Sequence, residues 1–236
     1  MAIAVTGGPN GVERWSPGTQ AVTTATFTAP AGSLLVAHGA VYRESSTTSA
    51  TVSGGSLTWT LRSSRAFGGF DFYGYIGVWT APVPTPQTLS VSISATGQFS
   101  ASLKVWIVTG ADVDAPVGAT NSGQTTTRNA TVNAYTATRD GSLGFCTVQD
   151  WGDIDGTLVS NDPGWIGTGN YVLALYKNSP AQAGQTVTFH MNITGSFGGS
   201  AEWHWAAAEI LPAPEATLAA RLVAVTSTAV HRAATW

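Results

Sequence analysis

In the stretch QTLSVSISA, Leu89, Val91 and Ile93 alternate with Ser90, Ser92 and Ser94, a strict period of two that puts every apolar side chain on one face of an extended chain. No other feature constrains the fold as much, because the pattern recurs along the chain. In TVTFHMNIT, Val187, Phe189, Met191 and Ile193 oppose Thr188, His190 and Asn192. SLKVWIVTG and SLLVAHGAVY are apolar on both faces, as central strands covered from each side are. AVTTATFTA, LTWTLR, FYGYIGVWT, SLGFCTVQ, YVLALYK and AEWHWAAAEIL read as further strands. Between them stand turn-forming clusters such as APAG, SGGS, APVPTP, DGS, NDPG, SPAQAG and GSFGGS. Short strands broken by such signals predict an all-β chain, an antiparallel β-sandwich or barrel. The one stretch with helical character, APEATLAARLVAV, runs into TSTAV, so a helix there is expected to be short.

Charged residues make up 10% of the chain, against about 25% in an average soluble protein. Hydroxyls and amides must therefore do most of the work of solvation. The ten basic residues are scattered singly between Arg14 and Arg232 and the net charge is −3, which argues against a nucleic-acid partner. Cys146 is the only cysteine, so an intrachain disulfide framework is excluded, and its setting SLGFCTV predicts a buried small hydrophobe. The start, MAIAVTGGPNGVERW, has neither the basic nor the apolar region of a secretory signal, and no stretch approaches the roughly 20 apolar residues of a membrane span. Synthesis in the cytoplasm without membrane insertion is expected. Two prolines in LPAPEA follow the last strong strand and set the expected division: an N-terminal extension over 1–19, a β-sandwich domain over 20–212 and a C-terminal docking extension over 213–236. With Leu218, Leu222 and Trp236, the last of these is apolar enough to pack on its own domain or on a neighbouring subunit.

A search for chemistry finds no GxSxG elbow, P-loop, dinucleotide fingerprint or HExxH helix. His38, His190, His204 and His231 form no metal-ligand pair, and no cofactor or metal is expected. The densest polar and aromatic segment is VQDWGDIDGTLVSNDPGWIGTGNY. It offers Asp150, Trp151, Asp153, Asp155, Trp165 and Tyr171 as a glycan-binding set, since carboxylates accept from sugar hydroxyls and ring faces cover sugar C–H faces. Equally, Asp and Gly make turns, and Trp151 and Trp165 can pin a long loop to the sandwich. Asp153, Asp155 and Gly156 open like a calcium loop, but Gly164 stands where the closing Glu belongs. A glycoside hydrolase would have to draw on Asp150, Asp153, Asp155 and Glu202. Glu202 and His204 share one face of their strand and Trp203 and Trp205 the other, which reads either as a displayed acid and base or as the polar outer face of an edge beside a Trp-rich core. In AFGGFDFYG, Phe67 and Phe70 are expected at an exposed loop tip suited to a partner protein, with Trp59 and Trp79 assigned to packing and Gly74 and Gly77 to close backbone approach.

Several phrases, in order, resemble a recurrent β-sandwich of tailed bacteriophages infecting actinobacteria, the minor tail protein family: FTAPAGSLLVA, VSGGSLTWTLRSSR, GVWTAPVPTPQTLSVSIS, LKVWIVTGADV and WAAAEILP. The resemblance spans about residues 20–212. It implies a jelly-roll-like or carbohydrate-binding-like sandwich that serves, without catalysis, as a virion component at the tail or its tip. Its implied partners are other virion proteins, copies of itself and host cell-surface carbohydrate. A freestanding carbohydrate-binding module and a capsid decoration protein are the alternative expectations.

Overall fold

A computed structural model describes residues 2–9, 12–15, 21–43, 49–69, 72–96, 98–151, 157–167, 172–195 and 201–215. The regular elements among them are all β-strands. They are β1 (Ala4–Gly7), β2 (Val12–Trp15), β3 (Val22–Thr23), β4 (Phe27–Ala29), β5 (Ser33–Arg43), β6 (Thr51–Ser53), β7 (Thr60–Gly69), β8 (Phe72–Val83), β9 (Gln87–Leu89), β10 (Ser92–Ser94) and β11 (Gln98–Thr109). There follow β12 (Val117–Thr125), β13 (Ala130–Thr136), β14 (Leu143–Asp150), β15 (Thr157–Val159), β16 (Gly164–Ile166), β17 (Val172–Tyr176), β18 (Thr186–Thr194) and β19 (Trp203–Ile210). The stretch expected to form a short helix lies almost wholly outside the described residues.

Where one sandwich is expected across 20–212, the chain builds two. In the first, a large sheet of order β1-β11-β5-β8-β7, with β2 also on β11, faces a small layer of β3-β10-β6 and β4-β9. In the second, β12-β19-β14-β17-β16 faces β13-β18-β15. Every named ladder is antiparallel. The orders match position by position: β12 stands where β1 and β2 stand, β13 where β3 and β4 do, and β18 where β9 and β10 do. Likewise β14, β15, β16, β17 and β19 repeat β5, β6, β7, β8 and β11. Each half puts its first strand beside its last, which is the winding of a jelly roll. Strands β1 and β2, in the expected N-terminal extension, are thus part of the first sheet.

The register repeats as well. Phe27↔Leu89 and Thr28↔Thr88 in the first half correspond to Tyr135↔Val187 and Thr136↔Thr186 in the second. Gly32 and Gly141, with φ of 71° and 79°, lead into the equivalent strands β5 and β14 from a left-handed turn that most side chains resist. Gly32 N–H bonds Val83 O and Gly141 N–H bonds Ala181 O, both at 2.8 Å.

Alternation along each central strand divides its side chains between two burials. On β5, Leu35, Ala37 and Val41 enter the core of the first sandwich with Trp79, Leu103, Val91 and Ile93. On β19, Trp203, Trp205 and Ala207 enter that of the second with Leu173, Phe189 and Met191. The opposite faces, Leu34, Val36 and Ala40 on β5 and Ala206, Ala208 and Ile210 on β19, meet each other. The two large sheets therefore pack face to face, which is why their strands are apolar on both sides. The strand exits pair too, with Asp112 N–H on Leu211 O at 2.9 Å and Ala213 N–H on Gly110 O at 2.8 Å.

Candidate functional site

The seam between the large sheets holds most of the buried polar chemistry, and three groups of contacts define it. The first is a staple. Thr147 on β14 donates its hydroxyl to Gly77 O at 2.8 Å, so its oxygen must accept from His38 Nδ1–H, 2.9 Å away on β5. That fixes the tautomer and leaves His38 Nε2 a bare acceptor, buried and without a partner. Burial first, and then the Lys104 ammonium, hold the His38 pKa down at about 3, so the ring is neutral. Lys104 itself donates to Gly8 O at 3.3 Å and Pro9 O at 2.7 Å and lies 4.3 Å from the Trp106 ring centroid, tying the link between β1 and β2 to the sheet. Thr147→Val removes the staple and strands the His38 N–H. We expect a loss of about 2–3 kcal/mol, read from the urea midpoint at neutral pH.

The second group runs Gln124, Arg65, His204, Glu202. Arg65 Nε–H donates to His204 Nδ1 at 3.1 Å, and the His204 Nε2–H then points to Glu202 Oε1 at 3.2 Å. Arg65 also bonds Gln124 Oε1. Because a guanidinium already occupies the basic nitrogen, the imidazole has no lone pair to offer a substrate. Burial and then the Arg65 charge bring its pKa down to about 4. His204 is 2% exposed, and β19 lies between β12 and β14 in its sheet. The expectation of an edge or outer face is corrected. Glu202 and His204 do share a face, but it faces β7 of the other half.

The third group is aromatic. The Phe67 ring stacks on His204 with centroids 4.0 Å apart and meets Trp151 edge-on at 5.1 Å, while Trp151 stacks on Tyr42 at 5.2 Å. The placement of Phe67 at an exposed tip is therefore corrected: it is 9% exposed, on the seam face of β7. Gly74 lies directly opposite in the ladder, and a Cβ there would come within 2.1 Å of the Phe67 ring. The missing side chain is what lets the ring lie flat. Trp165, on the edge strand β16, packs into both apolar clusters of the seam.

Of the proposed glycan set, Asp150, Trp151 and Trp165 are described. Asp150 closes β14, is 1% exposed and accepts Glu202 N–H at 3.0 Å, so its carboxylate is committed to the fold. Asp153, Asp155 and Tyr171 lie outside the described residues, as do Phe70, Leu218, Leu222 and Trp236. Asp162 is held by Lys177 Nζ at 2.5 Å and by His190 N–H at 2.8 Å. His190 accepts Asn161 N–H at Nδ1, 3.1 Å, and so donates from Nε2 to Asn129 Oδ1 at 2.8 Å. Cys146 is buried in the second core, and burial pushes its thiol well above the ordinary range. Trp79 is buried and Trp59 half-buried in the first core. Among the described residues, no three His, Cys, Asp or Glu side chains stand together as metal ligands.

The seam itself could not have been read from strand periodicity, which separates two faces without saying what covers them. A signal for it does exist, because FTAPAGSLL and QTLSVSIS return as YTATRDGSLG and QTVTFHMN. A period of about half the chain is a duplication. No family model, curated protein or solved structure matches the chain.

Proposed function

We propose that the chain is a non-enzymatic structural component of a bacteriophage virion, a minor tail or tail-tip protein that also touches host surface glycans. The observation that supports it most is how the two jelly rolls are joined. The described ionisable groups of the seam are engaged in structural bonds, which makes a rigid block rather than a cleft. Among the described residues, the outer faces of the small layers carry mostly hydroxyls and amides, with His190 on β18. Thr23, Ser92 and Ser53 form a row on one, with Thr23 and Ser92 bonded at 2.7 Å, and Thr28 bonds Thr88 at 3.2 Å beside it. Thr131, Asn133, Thr157 and Thr194 are exposed on the other. Such faces can be covered by neighbouring subunits without stripping water from ions. The phrases that resemble the tail protein family support the same reading. The chain would be made in the host cytoplasm and then incorporated.

Purified particles test this. The chain should copurify with them, at a few to some dozens of copies per particle for a tail or tip protein. A deletion of residues 213–236 should be absent from otherwise complete particles. Hundreds of copies would move the protein to the capsid, and absence from particles would end the reading altogether. Normal incorporation of the truncated chain would remove the docking role of the C-terminal extension.

A further inference from the structure

The two halves act as internal controls for one another, and at one position they diverge sharply. In the first half, Leu35 fills the core beneath Phe27 and Leu89. The equivalent position in the second half is Gly144, and Phe27 is replaced by Tyr135. The neighbouring strand diverges at the same place. Between Ala81, opposite Leu35, and Val83, opposite Ser33, lies the single residue Pro82. Between Lys177, whose N–H bonds Gly144 O, and Ala181, which bridges Ser142, lie three: Asn178, Ser179 and Pro180. Where the first half has a core leucine the second has glycine, and the strand beside it carries two extra residues.

The result is a recess of about 200 Å³ lined by Gly144, Lys177, Asn178, Ser179, Gln185 and Thr188 among others. The Tyr135 hydroxyl stands behind the lining residue Gly144. It lies 2.7 Å from where a Gly144 Cβ would stand, beside the recess-lining Val187, and it is buried without a hydrogen-bond partner. A buried orphan hydroxyl is costly and calls for an explanation. Lys177 is the one charged side chain in the lining, and Asp162 neutralises it at 2.5 Å. The remaining polar groups are neutral amides and hydroxyls.

We propose that this recess binds one neutral sugar residue. Its volume corresponds to about seven waters at ~30 Å³ each. That is the size of a single pyranose ring and well under the roughly 300–1,000 Å³ of a site for a drug-sized molecule. Hydroxyl and amide side chains that both donate and accept match the ligand's own hydroxyls, and Pro180, Ala181 and Val187 give its C–H face an apolar wall. A charged ligand would find no free counter-charge among the described lining residues. The site is distinct from the Trp151 region and does not depend on which particle, if any, the protein belongs to.

The full-length protein would be titrated with the methyl glycosides of glucose, galactose, mannose and N-acetylglucosamine, in both anomers, following backbone amide NMR shifts. Glucuronate and glucosamine serve as charged controls. At least one neutral glycoside should bind with a dissociation constant on the order of a millimolar, as befits about a dozen heavy atoms. The shifts should centre on Gly144, Asn178–Ala181 and Gln185–Thr188. Asn178→Ala and Thr188→Val, neither in the core, should each weaken binding by about 5-fold with an unchanged unfolding midpoint. Replacing Asn178–Pro180 by one proline, as the first half has it, should abolish binding. The proposal fails if no neutral glycoside shifts these amides up to about 50 mM, well above the expected constant. It also fails if a charged sugar binds more tightly, or if both point variants bind like the parent.

Discussion

Glu209→Ala is expected to destabilise the protein by about 4 kcal/mol, more than any other single substitution considered, because it removes a buried carboxylate on which four donors depend. Glu209 is 0% exposed on β19 and accepts Ala119 N–H at 2.7 Å, Thr138 N–H at 2.8 Å, the Thr138 hydroxyl at 2.7 Å and Arg139 N–H at 3.3 Å. The reason for a carboxylate here is a β-bulge. Register on β12 slips between Val117 and Thr120, leaving Ala119 N–H without a ladder partner. Glu209 satisfies it and reaches on to the β13–β14 turn. Burial alone would raise its pKa, but these donors outweigh burial and hold it below the ordinary carboxylate value. A Cβ on Gly118 would come within 2.3 Å of Glu209 Oε2, so the bulge and the carboxylate are built for each other. Urea unfolding at pH 7 checks the loss, and Glu209→Gln should recover part of it by keeping the acceptor oxygen. A midpoint within experimental error of the parent for Glu209→Ala would contradict this account.

The second large effect is a steep loss of stability in mild acid. His38 and His204 have folded pKa values of about 3 and about 4, both below the ~6.5 of an exposed imidazole. Above pH 6.5 both states are neutral and nothing changes. As the pH falls below 6.5 the unfolded chain takes up protons that the folded chain refuses, so the folded state loses ground until the folded pKa values are reached. Between pH 6.5 and 4.5 the linkage amounts to about 2 kcal/mol for each histidine. Above about pH 5.5 the window is clear of the ordinary carboxylate range, so the slope there isolates the imidazoles, while nearer pH 4.5 Glu209, held below its ordinary value, adds to the loss. Unfolding midpoints measured across it should fall steeply for the parent, and His38→Asn with His204→Gln should flatten the slope even if the double variant starts less stable. An equal slope in parent and variant would locate the acid sensitivity elsewhere.

Much of the fold was legible from alternation. TVTFHMNIT forms β18 as one strand, with Val187, Phe189, Met191 and Ile193 inward. QTLSVSIS keeps its faces but splits into β9 and β10, because its two ends pair with different neighbours, β4 on one side and β3 and β6 on the other. LTWTLR was less readable. Alternation puts Leu57, Trp59 and Leu61 on one face, yet β7 begins only at Thr60, and Leu61 is 41% exposed beside a register shift between Leu61 and Ser63. Two placements, those of Phe67 and His204, differ from expectation for one physical reason. A polar face such as Glu202 and His204, or a lone Phe67 among polar residues and glycines, reads as solvent-facing unless a second sheet covers it. The covering sheet came from the other half of the chain, and only the repeated phrases could have announced it.

Joining the halves in one polypeptide has a further effect on what the seam can tolerate. Two separate jelly rolls meeting through these faces would have to bury His38 Nε2 with no partner, and would lose translational freedom as well. The segment from Gly110 to Pro116 carries the chain from one large sheet to the other. At that length each half sees its mate at an effective concentration on the order of millimolar or above. A joint that also buries polar groups is then stable at any dilution, and the residues along it are released from the demands of an autonomous dimer interface.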